Sequence, residues 1–170
     1  WYRSRGLGDV YKRQVQKLLN ENYDILITTT TVSSANLFKK VFPDSVKHQY
    51  IPYDTPKYTK RFLNRLNIEL AIFVESEIWP NFIMECKKRN IPLLLINARF
   101  SDKSFQYWGY AKKSLNYLLG SFKFILPQNT KTHNWFKKLG YKNIKFLGNI
   151  KHDAEKLEIN NCLLYTSPSP

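Results

Sequence analysis

Short apolar runs alternate with longer amphipathic segments along most of the chain, and this alternation limits the folds it can adopt. The apolar runs predict strands at residues 25–29, 48–51, 70–74, 93–96, 124–126 and 144–147. The amphipathic segments predict helices at residues 15–21, 34–41, 57–66, 79–89, 104–119 and 130–139. Strands that alternate with helices of about ten residues are typical of parallel βαβ units. The sequence therefore predicts an α/β domain with a parallel sheet and flanking helices.

Residues that break regular structure agree with these boundaries. Four prolines lie at predicted element edges, where the missing N–H does least damage: Pro52, Pro80, Pro92 and Pro127. Gly140 follows the last predicted helix, as expected for a glycine at a helix C-terminus. Ser33 or Ser34 is predicted to cap the helix after the first strand.

The two ends of the chain are predicted to differ in origin from the rest. Residues 9–14 back-translate as GAT GTG TAT AAG AGA CAG, and residues 162–167 as TGT CTC TTA TAC ACA TCT. The two strings are reverse complements offset by the reading frame, and they match the end of a transposon-type sequencing adapter. We therefore interpret 1–14 and 162–170 as adapter-derived tails and exclude them from the fold prediction. The expected domain is 15–161, truncated at both ends.

The chain is strongly basic, which indicates an anionic partner. It has 27 Lys and Arg against 13 Asp and Glu, and without the two tails the counts are 23 and 12. Nucleic acid, an anionic membrane or a phosphorylated substrate would satisfy this charge. Lysine dominates the basic residues, however, so the amino-acid bias of an AT-rich genome explains the charge equally well. With 43% apolar residues the chain is not disordered, and it has no uncharged apolar run long enough to span a bilayer.

Polar residues follow the predicted strands one after another. They are residues 28–31, 52–54, 75–77, 97–99, 127–129 and 148–149. In a parallel sheet these positions line one rim, and open α/β sheets bind their ligands at that rim. Loops after strands are commonly polar in any case, so the residues alone indicate no more than a basic α/β domain with a polar cleft.

Longer strings at the same strand ends resemble a known family. They are ITTTTVSSA at 27–35, YIPYD at 50–54, RFL at 61–63, ESEIWPN at 75–81, IPLLLINARFS at 91–101, Gln128, LG at 139–140 and GNIKHD at 148–153. In this order and spacing they resemble the 3-deoxy-D-manno-octulosonic acid (Kdo) transferases of Gram-negative bacteria. ESEIWPN is the most distinctive string, and the resemblance extends over 24–153.

The resemblance implies a Rossmann-like domain, the N-terminal acceptor-binding half of a GT-B glycosyltransferase. That family transfers Kdo from CMP-Kdo to the lipid A precursor at the cytoplasmic face of the inner membrane. The reaction inverts configuration and uses no metal or other cofactor. The general base and the CMP-binding domain of the family are absent from this sequence, so the resemblance implies that the chain alone is inactive.

The resemblance also implies site residues. Glu75 and Lys151 match the residues that stabilise the transition state. The matching substrate-binding residues are Thr30, Ser33, Ser34, Asn97, Arg99, Gln128 and Asn149. Each has an ordinary structural alternative: Glu75 can face a helix N-terminus, Lys151 can be a surface lysine, and hydroxyls can cap helices. The histidines have no metal-ligand spacing among themselves or with Cys86.

Anionic lipids of the inner membrane are the further partner expected, through the basic stretches at 57–65 and 87–89. Nucleic acid is not an expected partner of a Kdo transferase. Two alternatives stay open at this point. One is a basic α/β module that binds nucleic acid, because tyrosine and phenylalanine are interspersed with lysine. The other is a GT-B transferase of different specificity.

Overall fold

The structure, a computed structural model, describes residues 7–101 and 111–146, with side chains from Tyr11 onward. The helices are α1 (Leu7–Asn20), α2 (Val32–Val41), α3 (Pro56–Leu63), α4 (Pro80–Lys88), α5 (Lys112–Leu119) and α6 (Thr130–Lys138). The strands are β1 (Leu26–Thr29), β2 (Lys47–Tyr50), β3 (Ala71–Val74), β4 (Leu93–Ala98) and β5 (Phe124–Pro127). Helices and strands alternate along the described chain, as the apolar pattern predicts.

All strand pairs in the described residues are parallel. Strands β1 and β2 form one sheet, with Leu26 opposite Lys47. Strands β3, β4 and β5 form a second sheet in that order, with β4 in the centre. A helix lies between each strand and the next, which is the connection that parallel neighbours require. The predicted fold class, a Rossmann-like α/β arrangement of parallel sheet and flanking helices, is confirmed.

The core lies around the three-stranded sheet. Leu93, Leu95 and Ala98 of β4 are at most 1% exposed, as is Ile83 of α4. The other buried members come from the helices, their adjoining turns and β5: Leu63, Phe82, Cys86, Leu115, Leu118, Leu119, Phe122, Ile125 and Phe136. Burying one such aliphatic or aromatic side chain stabilises the fold by roughly 1.5–3 kcal/mol. Strand β4 is therefore the most buried of the five strands, and core packing determines where its carboxyl end lies.

The sixth predicted strand, 144–147, is reduced to a single bridge in the described residues. Ile144 pairs with Ile125 in parallel, through Ile125 N–H to Asn143 O at 3.1 Å and Lys145 N–H to Ile125 O at 3.1 Å. The next donor on β5 in a parallel ladder would be the N–H of Pro127, which proline lacks. Within the described residues the ladder is therefore a single bridge, and residue 147 lies outside them.

Two predicted helix boundaries also differ. Helix α1 begins at Leu7, so it crosses the boundary predicted at residue 14. The adapter origin of residues 1–14 and 162–170, like the domain limits 15–161, stays a prediction. Of the predicted helix 104–119, the described part is Lys112–Leu119, and residues 102–110 lie outside the described residues.

The cap predicted for α2 is wrong by two or three residues. Helix α2 begins at Val32, so Thr31 is its N-cap, and the Thr31 hydroxyl accepts the Ser34 N–H at 3.2 Å. Ser33 and Ser34 lie within the first turn. At the last helix the prediction is confirmed, since Gly140 follows α6 with a φ of 88°, a conformation that glycine adopts without steric cost.

Helix α4 is capped by a residue from a distant loop. Its own N-cap residue, Trp79, makes no capping side-chain hydrogen bond. The half-buried carboxylate of Asp54 instead accepts the Asn81 N–H at 3.1 Å and the Phe82 N–H at 3.0 Å. The Asn81 side chain returns a bond to the Asp54 carbonyl at 2.7 Å. This reciprocal contact joins the loop after β2 to the helix after β3, and so links the two sheets.

Replacing Asp54 with alanine is expected to lower the free energy of unfolding by about 2 kcal/mol, because two helix N–H groups lose a charged acceptor. Urea denaturation followed by circular dichroism measures the change. Asp44→Ala is the matched control, because Asp44 is exposed and its side chain bonds to no described residue. The control is expected to change stability by less than about 0.5 kcal/mol. Equal losses in both variants would show that Asp54 does not link the sheets.

Tyr141 supplies a pH-dependent contribution to stability. Its hydroxyl donates to the Asn116 carbonyl at 2.7 Å, and its ring contacts Phe136 edge-on. Burial raises the pKa of Tyr141 from 10.0 to about 12, against the opposing effect of a backbone hydrogen bond at Gly120. The unfolded chain therefore loses this proton first as the pH rises, and the stability that Tyr141 contributes declines between pH 10 and pH 12.

Tyr141→Phe is expected to lower stability at neutral pH by about 1 kcal/mol through the lost hydrogen bond. It is also expected to make the alkaline decline shallower, because the titrating group is gone. Urea denaturation at a series of pH values measures both effects. Tyr53→Phe, at an 83% exposed residue, is the control and should leave the alkaline slope unchanged. A parallel pH dependence in Tyr141→Phe and the unsubstituted chain would contradict the assignment.

Candidate functional site

The carboxyl ends of β3, β4 and β5 meet at one rim of the larger sheet. Glu75 directly follows β3, and its N–H donates to Ile96 O of β4 at 3.0 Å. Arg99 directly follows β4, and its N–H donates back to Glu75 O at 3.4 Å. Gln128 follows β5 and donates its N–H to Ala98 O at 3.0 Å. The structure thus brings together Glu75, Arg99 and Gln128, with Asn97 between them on β4.

Glu75 and Asn97 both adopt a left-handed backbone conformation. Their φ values are 58° and 51°. Asparagine tolerates this region, but for a residue such as glutamate it costs about 1–2 kcal/mol. At Asn97 the register between β4 and β5 also shifts, since Leu95 faces Ile125 and Ala98 faces Pro127. Irregularities of this kind redirect side chains and are frequent beside functional sites.

The side chains of these two residues contact each other. Asn97 Nδ2 donates to Glu75 Oε1 at 3.4 Å, a long hydrogen bond. Asn97 is only 3% exposed, and its Oδ1 has no hydrogen-bond partner among the described residues. A buried acceptor without a donor costs about 1–3 kcal/mol. An incoming hydroxyl or amine would remove this cost, so Asn97 favours a ligand that donates a hydrogen bond next to the Glu75 carboxylate.

Tyr11 of helix α1 covers the same point, a contact that the sequence prediction missed. Asn97 Nδ2 donates to the Tyr11 hydroxyl oxygen at 3.2 Å. Burial raises the pKa of Tyr11 from 10.0 to about 12, the Asn97 bond lowers it, and the charge of Glu75 raises it further. Sequence reasoning excluded residues 1–14 as a tail. The available signal was the apolar spacing of Tyr11, Val15 and Leu18, which continues one helical face across residue 14.

Hydrogen bonds around the rim show which polar residues have a structural role. The Asp54 carboxylate occupies the free N–H groups of α4, so Glu75 is not the cap of that helix. The Glu77 carboxylate accepts the Trp79 indole N–H at 2.7 Å. Ser76 Oγ donates to the Arg99 carbonyl and braces the loop after β4. The alternative interpretation of Glu75 as a capping residue is therefore wrong, and Glu75 is left facing Asn97.

The remaining predicted site residues fall into three groups. Gln128 is half-buried at the rim, and its side chain bonds to no described residue. Thr30, which follows β1 of the smaller sheet, and Ser33 and Ser34, in the first turn of α2, are all exposed. Asn149 and Lys151 lie outside the described residues, so their predicted roles stay predictions.

The rim combines the Glu75 carboxylate with Arg99 and with the neutral polar residues Asn97 and Gln128. Within 7–101 and 111–146 no group of three or more histidine, cysteine, aspartate or glutamate side chains could hold a metal ion. In the same residues no helix is long and apolar enough to cross a bilayer. Among them Glu75 forms no ion pair. A carboxylate held in this way can stabilise positive charge that develops on a substrate, or accept a hydrogen bond from a sugar hydroxyl.

Comparison with known proteins gives a consistent result along most of the chain. A family profile described as "3-Deoxy-D-manno-octulosonic-acid transferase (kdotransferase)" matches residues 6–154. The 3-deoxy-D-manno-octulosonic acid transferase of Rickettsia bellii is 41% identical over 135 residues, which cover 79% of this chain and 32% of the relative. The corresponding protein of Haemophilus influenzae is 36% identical, over 76% of this chain and 31% of the relative.

A plant protein is similar to this chain over a comparable part of its length. A protein of Arabidopsis thaliana named "Probable 3-deoxy-D-manno-octulosonic acid transferase, mitochondrial" is 34% identical, over 95% of this chain and 38% of its own length. The chain thus spans about a third of the length of the curated relatives it matches. Because the family profile covers most of the chain, the resemblance of the strand-end strings is confirmed. The chain belongs to the 3-deoxy-D-manno-octulosonic acid transferase family.

Proposed function

We propose that this chain is the N-terminal, acceptor-binding part of a GT-B glycosyltransferase that transfers Kdo from CMP-Kdo to the lipid A precursor in lipopolysaccharide biosynthesis. The observation that carries the proposal is the Glu75 carboxylate, held against the buried Asn97 amide where two parallel strands end. Family membership supports the sugar transfer, and the rim supplies a place for a hydroxylated acceptor.

Glu75 acts on the charge that develops during transfer. As the donor sugar leaves the phosphate, its anomeric centre becomes oxocarbenium-like, and a fixed carboxylate stabilises that positive charge or orients the acceptor sugar. Asn97 keeps the Glu75 carboxylate in place and offers its free Oδ1 to a sugar hydroxyl. The Arg99 and Gln128 side chains bind further oxygen atoms of the acceptor from the ends of β4 and β5.

The negative charge on the departing phosphate needs a cation, and Lys151 fills this role in the proposal. Asn149 holds substrate beside Lys151. Thr30, Ser33 and Ser34 bind an anionic or hydroxylated part of the substrate at the start of α2, where helix N–H groups point outward. With these groups the reaction needs no bound metal, and it proceeds with inversion. The general base comes from a part of the enzyme that this chain does not supply.

The proposed site of action is the cytoplasmic face of the bacterial inner membrane. Basic residues of α3 and of the last turn of α4 rest against anionic lipid headgroups in this proposal, since each cation near such a surface contributes about 1 kcal/mol. The nucleic-acid alternative explains neither the Glu75–Asn97 contact nor the family match. A GT-B transferase of different sugar specificity is compatible with the rim but not with the family name.

The chain by itself is expected to show no transfer, because the proposed base and the donor-binding domain lie outside it. An assay with CMP-Kdo and the lipid A precursor, with product detected by mass spectrometry, tests this expectation. The full-length Haemophilus influenzae relative serves as the positive control. Product formation by the isolated 170-residue chain above the no-enzyme background would contradict the proposed division of roles.

The role of Glu75 can be tested in a chimeric enzyme, in which residues 24–146 of this chain replace the matching part of the Rickettsia bellii transferase. Glu75→Gln in that chimera is expected to lower kcat by about 10²–10³-fold with little change in KM, because it removes a preorganised charge. Glu69→Gln, at an exposed glutamate before β3, is the matched control and should leave both constants unchanged. An unaffected kcat in Glu75→Gln, with an active parent chimera, would remove Glu75 from the site.

A further inference from the structure

A pocket that combines apolar residues with two arginines lies away from Glu75, between the end of β2 and helix α3. It encloses about 240 Å³. Gln49 and Tyr50 form one side, and Tyr58, Arg61 and Arg65 form the other. Its volume is below the roughly 300–1,000 Å³ of pockets that bury a whole drug-sized ligand, so it suits a small polar headgroup.

The two arginines lie one helical turn apart. Helix α3 ends at Leu63, but Asn64 N–H bonds to Lys60 O at 2.9 Å and Arg65 N–H bonds to Phe62 O at 3.2 Å, so the turn continues through Arg65. Residues four apart on such a turn face the same side, where two like charges repel each other. A pair of this kind is stable only with a counter-charge or in full contact with water.

No carboxylate supplies that counter-charge within the described residues. None of the residues lining the pocket is acidic, and neither Arg61 nor Arg65 forms an ion pair there. Of the neighbouring acidic residues, Asp54 is committed to the N–H groups of α4, and exposed Glu69 pairs with no described cation. Arg61 and Arg65 are both exposed to water, and the pocket presents two guanidinium groups that no carboxylate of the described residues neutralises.

The helix dipole does not account for this cluster. The end of α3 carries about half a negative charge, which one basic residue neutralises. Lys60 and Arg61 both lie in its last turn, and Arg65 follows, so the positive charge exceeds the dipole several times over.

We propose that the pocket of Tyr50, Tyr58, Arg61 and Arg65 binds a phosphomonoester group. A phosphomonoester carries about −1.5 to −2 charge at pH 7 and three acceptor oxygens, which matches two guanidinium groups. Each guanidinium presents parallel N–H donors that bind phosphate oxygens in pairs. Tyr50 and Tyr58 are 50% and 47% exposed, so the exposed parts of these side chains can contact the group to which the phosphate is attached. This inference does not depend on the proposed transfer reaction.

The contact between Phe62, which lines the pocket, and Phe82 of the core holds helix α3 in position. The Phe62 ring, on the α3 side, meets Phe82 of α4 edge-on with ring centroids 5.7 Å apart. Phe82 is 4% exposed and belongs to the core, so α3 is anchored while its two arginines point to solvent. The site therefore exists before a ligand arrives, which lowers the entropy cost of binding.

The first test is an NMR titration of the isotope-labelled 170-residue chain, following the arginine Nε–H signals at constant ionic strength. Glycerol 1-phosphate and inorganic phosphate are expected to shift the Arg61 and Arg65 signals together and to saturation. Dimethyl phosphate, a diester with one charge, is expected to bind about tenfold more weakly. Absence of saturation, equal shifts of all arginines, or equal affinity for the diester would each overturn the proposal.

Variants distinguish the effect of the positive charge of the two arginines from the effect of the planar guanidinium geometry. The double variant Arg61→Gln with Arg65→Gln should abolish saturable binding, and Arg61→Lys with Arg65→Lys should weaken it about fivefold, because lysine lacks the planar fork. Lys39→Gln with Lys40→Gln removes two exposed charges from α2 and is the matched control, with less than a twofold effect expected. Circular dichroism checks folding, and the titration of the unsubstituted chain decides the question if a variant does not fold. Undiminished binding by the lysine variant would refute the paired-fork geometry.

A third comparison identifies where the phosphomonoester comes from. Phosphatidylcholine vesicles containing phosphatidic acid are compared with vesicles that contain phosphatidylglycerol at equal surface charge. Stronger binding to phosphatidic acid, lost in the glutamine variant, indicates a lipid headgroup, whereas binding of glycerol 1-phosphate alone indicates a soluble ligand. Equal binding to both vesicle types, or tighter binding to an oligothymidylate than to any phosphomonoester, would replace the proposal with a nonspecific anion surface.

Discussion

The structure depends on one constraint, the burial of β4 in the centre of a parallel sheet. The core packing around β4 determines where its carboxyl end lies. Leu93, Leu95 and Ala98 are almost inaccessible to water. Parallel pairing then brings the ends of β3 and β5 to the same rim. The polar residues that follow these strands meet there because the apolar residues before them are packed.

This packing also explains how the rim holds two residues in a left-handed conformation. The backbone of Glu75 is bonded on both sides, to Ile96 O through its N–H and to Arg99 N–H through its carbonyl. A local penalty of about 1–2 kcal/mol at Glu75 is small beside the burial of the thirteen core side chains. These backbone hydrogen bonds hold Glu75 in the left-handed conformation in which its carboxylate contacts Asn97. The backbone strain and the Glu75–Asn97 contact therefore arise from the same hydrogen bonds.

Much of this arrangement could be predicted from the sequence. The apolar runs located five strands to within two residues at each end, and the strand-end strings identified the family. The conformation of Glu75 and Asn97 could not be predicted, because it arises from hydrogen bonds between residues more than twenty positions apart. The capping of α4 by Asp54 is of the same kind. Thr31 was missed because neighbouring serines are equally good caps, and Tyr11 because its segment was assigned to a tail.

Pro127 has an effect beyond the strand that it ends. An outer strand with free N–H groups can recruit a strand from another molecule, and this is a common start of aggregation. On the outer side of β5, Ile144 occupies the bridge to Ile125, and the next donor position is a proline. Within the described residues, a strand from another molecule would therefore meet neither a free neighbouring position nor a continuous row of N–H donors at this edge of β5. In this way one imino acid helps to keep the sheet from growing between molecules.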